Sequence, residues 1–195
     1  KTAYEIRNCD WSSDVCSSDL KTVSARMRAS MVAMGDSNVA IAKALKMIEI
    51  FPTTASAIRE ADVVFEAAPE KLDLKQKIFA EIEEHATDDC ILASNTSVMP
   101  ITKIMSKLRL KNRAVGTHWW NPPHMIPLVE VVKTEWTDPE VAQAMFDLLQ
   151  DAGKTPVMVE KDVPGFIGNR LQHADRKSTR LNSSHSSVSR MPSSA

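Results

Sequence analysis

His118 and Glu130 are the residues of this chain whose types and setting most clearly suggest chemistry. Both lie in VGTHWWNPPHMIPLVEVV, residues 115–132. His118 closes a short apolar run, 113–117, that reads as a buried strand. Glu130 interrupts a second run, 126–132, in which Leu128, Val129, Val131 and Val132 are apolar on both strand faces. A carboxylate in such a run is costly unless it is paired or hydrogen-bonded, and His118 is its natural partner. A carboxylate that grips one imidazole nitrogen fixes the tautomer and leaves the other nitrogen free to take a proton. The plainer alternative is a structural histidine at a strand end, and spacing alone leaves both readings open.

Further polar residues follow neighbouring apolar runs. Glu70 comes after 61–67, Asn95, Thr96 and Ser97 after 90–94, and Asn121 after His118. In parallel sheets ligands bind off the carboxyl ends of the strands, so three successive strand ends carrying polar groups point to a site. Singly, each has a plainer reading. Glu70 suits a helix N-terminus, and residues 95–97 suit a turn that caps a helix.

The elements that must position these residues alternate. Residues 21–46 read as two helical pieces joined by a turn at 34–38, with Asp36 or Ser37 as a helix cap. A short strand is expected at 47–51, and Pro52, Thr53 and Thr54 end it and cap a helix over 55–60. A buried strand at 61–67 leads to a helix from Leu72 to about His85, with Leu74, Ile78, Phe79 and Ile82 on one face. Strand 90–94 and a helix near 101–108 precede the His118 and Glu130 strands. Asp138 and Pro139 open a helix that ends at Gly153, and 155–160 is a last strand. This rhythm predicts an α/β domain with a mainly parallel sheet.

Composition narrows the function. The 195 residues hold 43% hydrophobic and 25% charged side chains, and 24 bases nearly balance 25 acids, so a nucleic-acid partner is not expected. No apolar run approaches a membrane span. Cys9, Cys16 and Cys90 show neither metal-ligand spacing nor an even disulfide framework, so no metal is expected and the default setting is the reducing cytoplasm. All five glycines lie at Gly35 or later, so no G-x-G-x-x-G precedes the first strand. The nearest approach, Gly165 to Gly168, follows the last strand with no downstream acid and is not a phosphate loop.

The ends differ from the middle. Residues 1–20 show no helical or strand period, and 175–195 are dominated by serine. Both resemble translated sequencing-adapter read-through, which marks them as non-native or disordered.

Taken together, ADVVFEAAPEKLDLK (61–75), ILASNTS (91–97), GTHWWNPP (116–123), PLVEVV (127–132), GKTPVMVEKD (153–162) and PGFIGNR (164–170) resemble the 3-hydroxyacyl-CoA dehydrogenase family. Order and spacing agree with its nucleotide domain over about residues 50–174. The resemblance implies a Rossmann-like NAD domain, here partial over 21–170 and incomplete at its N-terminal part. The helical second domain begins at 171–174 and is otherwise missing. It also implies NAD-dependent oxidation of a 3-hydroxyacyl-CoA to the 3-oxoacyl-CoA in fatty-acid metabolism, and a homodimeric parent. By the same resemblance His118 is the general base, and Glu130 orients it. Ser97 bonds the reacting oxygen, Asn169 assists and Asn121 braces the cluster. Ala67, Glu70, Lys75, Asn95 and Ser97 match positions that contact NAD. Trp119 and Trp120 replace two phenylalanines common in the family, and they resemble relatives that oxidise small free 3-hydroxy acids such as gulonate or carnitine. A non-catalytic Rossmann-like binding module is the other alternative. For the 195-residue chain itself, the missing first strand and glycine loop predict negligible activity and an exposed sheet edge prone to association.

Overall fold

The computed structural model describes residues 3–6, 25, 27–29, 31, 32, 34–49, 51–175 and 177. Among the described residues six strands form one sheet: β1 (Ala3–Ile6), β2 (Val63–Glu66), β3 (Ile91–Ser94), β4 (Ala114–Trp119), β5 (Leu128–Lys133) and β6 (Thr155–Val159). They lie side by side in chain order, all neighbours parallel except β4 and β5, which pair antiparallel. Helices separate most of them: α1 (Asn38–Lys46), α2 (Thr54–Ile58), α3 (Leu72–His85), α4 (Ile101–Ile104) and α5 (Pro139–Asp151). The family of α/β folds expected from the alternating pattern is the one observed, a Rossmann-like domain.

The two sheet faces bury separate cores. Val64, Leu92, Ala114 and Val132 pack with Ile78, Phe79 and Ile82 of α3 and Ile101 and Ile104 of α4. On the opposite face Val63, Ala93, Val115, Val129 and Val131 pack with Met145 and Leu149 of α5. Successive strand residues point to opposite faces, so apolar runs such as 128–132 arise because both faces are covered. Caps fall where their side chains predict. Ser37 accepts from the Ala40 amide (3.2 Å), Thr53 from Ser56 (3.2 Å) and Asp138 from Glu140 (3.1 Å). Gly153 ends α5 at φ +76°, a conformation that favours glycine.

Three expectations give way. Ala3–Ile6, within a stretch read as having no strand period, is β1 and pairs with β2 from Ala3–Val63 to Ile6–Glu66. Four residues are too few for a period to register, and the edge of β2 supplies the ladder that the local sequence does not announce. That edge is therefore covered rather than open. Residues 47–49 and 51 are not a strand, because the Met47 and Ile48 amides turn back onto Ala44 and Leu45 and close α1. The helix expected near 101–108 stops at Ile104, and the Leu108 amide bonds Met105 in a turn.

Candidate active site

The reversal between β4 and β5 brings the two principal residues together. His118 and Glu130 are direct partners across the antiparallel ladder, so their side chains leave the same face of the sheet. His118 Nδ1 donates to Glu130 Oε2 at 2.7 Å, with the residues only 4% and 2% exposed. This bond places the ring proton on Nδ1 and leaves Nε2 as the nitrogen that can take a proton.

The other oxygen of Glu130 is used as well. Oε1 accepts the backbone amides of Ile167 and Gly168, each at 2.9 Å. Burial pushes the Glu130 carboxyl up. The His118 hydrogen bond, the Gly168 and Ile167 amides and the attraction of His118 outweigh it and hold the carboxyl below its ordinary value. The two amides are aimed by a left-handed turn, with Gly165 at φ +77° and Phe166 at φ +48°. Phenylalanine in that region costs roughly 1–3 kcal/mol. Its ring is buried, with its centroid 5.6 Å from that of His118.

A second cluster holds Ser97. The Glu70 carboxylate accepts the Thr96 hydroxyl (2.9 and 3.0 Å) and the Ser97 amide (2.7 Å). Asn169 Nδ2 donates to the Ser97 carbonyl at 2.7 Å. Ser97 is therefore fixed through both of its backbone polar groups, by residues from β2's turn and from the segment that Glu130 grips. Glu70 does not cap α3, whose N-terminus has no side-chain cap. The Thr96 hydroxyl also accepts the Met99 amide at 3.1 Å, but it does not cap α4, whose N-cap is Pro100 with no side-chain bond. Asn95 Oδ1 accepts the Trp119 amide at 3.2 Å and ties the end of β3 to the end of β4. Asn121 is exposed just beyond β4, and Ala67 lies half-buried at the end of β2.

Lys75, which the resemblance matches to a position that contacts NAD, is bonded to the turn after β2. It is fully buried, and its ammonium bonds Glu66 Oε1 (2.8 Å), Glu66 Oε2 (3.0 Å) and the Ala68 carbonyl (2.8 Å). Glu66 also accepts the Ser94 hydroxyl (2.7 Å) and the Ala68 amide (2.5 Å). Lys75 thus ties the first turn of α3 to the turn after β2. Sequence reasoning missed Glu66 and Ser94 as positioning residues. Glu66 carried a usable signal, an acid inside the apolar run ADVVFEA, the same signal that singled out Glu130. Among the described residues no cluster of side chains could hold a metal ion, and no helix is long and apolar enough to cross a membrane.

Comparison with known proteins places this arrangement. The family model for the 3-hydroxyacyl-CoA dehydrogenase, NAD binding domain, matches residues 1–163. The chain is 42% identical over 118 residues to 5-formyl-3-hydroxy-2-methylpyridine 4-carboxylate 5-dehydrogenase of Mesorhizobium japonicum, covering 60% of this chain and 38% of that protein. It is 39% identical over 127 residues to L-carnitine dehydrogenase of Nocardiopsis dassonvillei, covering 65% and 39%. The crystal structure of (S)-3-hydroxybutyryl-CoA dehydrogenase from Ralstonia eutropha superposes with TM-score 0.76 at 30% identity, over 86% of this chain and 59% of that one. The chain spans about two fifths of the length of these first two relatives. With the strands, the His118–Glu130 pair and the family match in agreement, the chain belongs to the 3-hydroxyacyl-CoA dehydrogenase family and represents its NAD-binding domain.

Proposed function

We propose that this chain is the catalytic core of an NAD-dependent dehydrogenase that oxidises the 3-hydroxyl of an acyl-CoA. The observation that carries the reading is the buried His118–Glu130 pair at 2.7 Å, directly opposed across β4 and β5. His118 Nε2 takes the substrate hydroxyl proton. Glu130 keeps Nδ1 protonated and stabilises the imidazolium that forms, and a base so placed contributes roughly 10²- to 10⁴-fold. The Ser97 hydroxyl donates to the reacting oxygen as charge develops on it, with Asn169 and Asn121 completing the polar wall. When bound, NAD supplies the hydride acceptor.

The residues of this chain fit the nicotinamide end of that cofactor. Ala67 and Ala68 carry only methyl groups in the turn after β2, Glu70 of the same turn bonds the Ser97 amide, and the Asn95 amide bonds the Glu66 carbonyl. Lys75 serves this end by fixing the Ala68 carbonyl. The pyrophosphate end is not matched among the described residues. The strands run in chain order with no reversal, and a dinucleotide's phosphates are normally held at a reversal beside a glycine-rich turn.

Two assays test the proposal. The purified 195-residue chain, given NAD and 3-hydroxybutyryl-CoA, is expected to form no NADH; reproducible, saturable NADH formation would show that these residues suffice. Residues 1–174 carried in a full-length dehydrogenase of the family are expected to oxidise 3-hydroxybutyryl-CoA in preference to carnitine or gulonate. The opposite preference would reassign the substrate to a free hydroxy acid.

A further inference from the structure

Gly168 has no backbone reason to be glycine. Among the described residues the glycines at positive φ are Gly35, Gly153 and Gly165, and Gly168 is not one of them. What forbids a side chain there is Trp120. A Cβ at position 168 would lie 2.2 Å from the indole Cζ2, 3.1 Å from Cη2 and 3.2 Å from Cε2. The indole is a rigid bicycle, so it cannot yield as the tip of a flexible side chain would.

The indole seated in that space flanks His118. Its centroid is 5.3 Å from the imidazole at 49°, and Phe166 lies at 5.6 Å, also at 49°. Trp120 follows β4 whereas Phe166 follows β6, so two separate segments meet on one ring. Trp120 Nε1 is buried and has no hydrogen-bond partner among the described residues, so packing rather than polar bonding holds the indole here. Gly168 meanwhile donates its amide to Glu130 Oε1. One residue therefore touches both supports of the base, holding the carboxylate with its N–H and admitting the indole through its missing Cβ.

We propose that Trp120, seated on Gly168, is a positioning residue that holds the His118 imidazole in register with Glu130. The proposal rests on the reading of His118 as the base, but its test needs no turnover, so loss of the dehydrogenase reading and loss of this one are distinguishable.

The test uses the full chain, labelled with nitrogen-15, as wild type, Gly168→Ala, Trp120→Phe and the double variant. The readout is the His118 Nδ1–H resonance and its exchange with solvent, assigned by its loss in His118→Gln. Gly168→Ala is expected to speed that exchange at least tenfold or to remove the resonance. Adding Trp120→Phe, which vacates the space claimed by the new Cβ, is expected to restore it to within about threefold of Trp120→Phe alone. Unchanged exchange in Gly168→Ala overturns the proposal. So does a double variant as disturbed as Gly168→Ala, since the glycine would then serve something other than Trp120. If Gly168→Ala does not fold, the double variant still decides: a folded chain with the resonance present supports the interlock, and an unfolded one refutes it.

Discussion

Two carboxylates are buried on the same face of this sheet, and they differ in what answers them. Glu66 lies two residues from Val64 and Glu130 two from Val132, both strand residues of the core that α3 and α4 cover. Glu66 meets Lys75, together with the Ser94 hydroxyl and the Ala68 amide. Glu130 meets an imidazole and the Ile167 and Gly168 amides. The Lys75 ammonium bonds both Glu66 oxygens and the Ala68 carbonyl, so the first group locks a turn. The imidazole bonds Glu130 through Nδ1 and keeps Nε2 for the proton transfer proposed above. The surroundings are similar, and the partner decides whether burial yields structure or chemistry.

The largest expected effect tests the structural side. Lys75→Met strands the Glu66 charge and is expected to cost about 3–5 kcal/mol in urea denaturation, whereas Glu66→Gln with Lys75→Met recovers most of it. A loss below about 1 kcal/mol in the single variant would break the contrast. Ser94→Ala removes one of the donors to Glu66 and is expected to cost about 1–3 kcal/mol, measured the same way, with the fold intact. The smallest effect separates the two groups by pH. The Glu130 carboxyl is held below its ordinary value, so its contribution to stability is full above a pH of about 4.3. It is lost as pH falls through the lower folded value. Glu130→Gln is therefore expected to flatten the acid limb of a stability-against-pH curve. An unchanged limb would mean that Glu130 is not held ionised by these partners.

Local signals made much of the fold legible. Leu74, Ile78, Phe79 and Ile82 recur at helical spacing, and α3 runs over the expected residues. The Asp138 and Ser37 caps need only neighbouring amides, so they too could be read from the chain. The antiparallel turn of β5 against β4 is a long-range choice, yet it is what sets Glu130 opposite His118. That pair was legible only because an acid in an apolar strand demands a partner. The same reasoning applied to Glu66 demands a partner too, and that partner is Lys75. Strand β1 was not legible at all, since its pairing with β2 rather than any pattern of its own defines it.

The central claim is that His118, fixed by Glu130, takes the substrate proton without serving the cofactor. Its most direct test is His118→Gln in residues 1–174 carried within a full-length dehydrogenase of the family, with turnover and NADH affinity measured side by side. Turnover is predicted to fall about 10²- to 10⁴-fold, with NADH affinity within about twofold of the parent. Equal loss of both, or turnover that survives, would contradict the assignment.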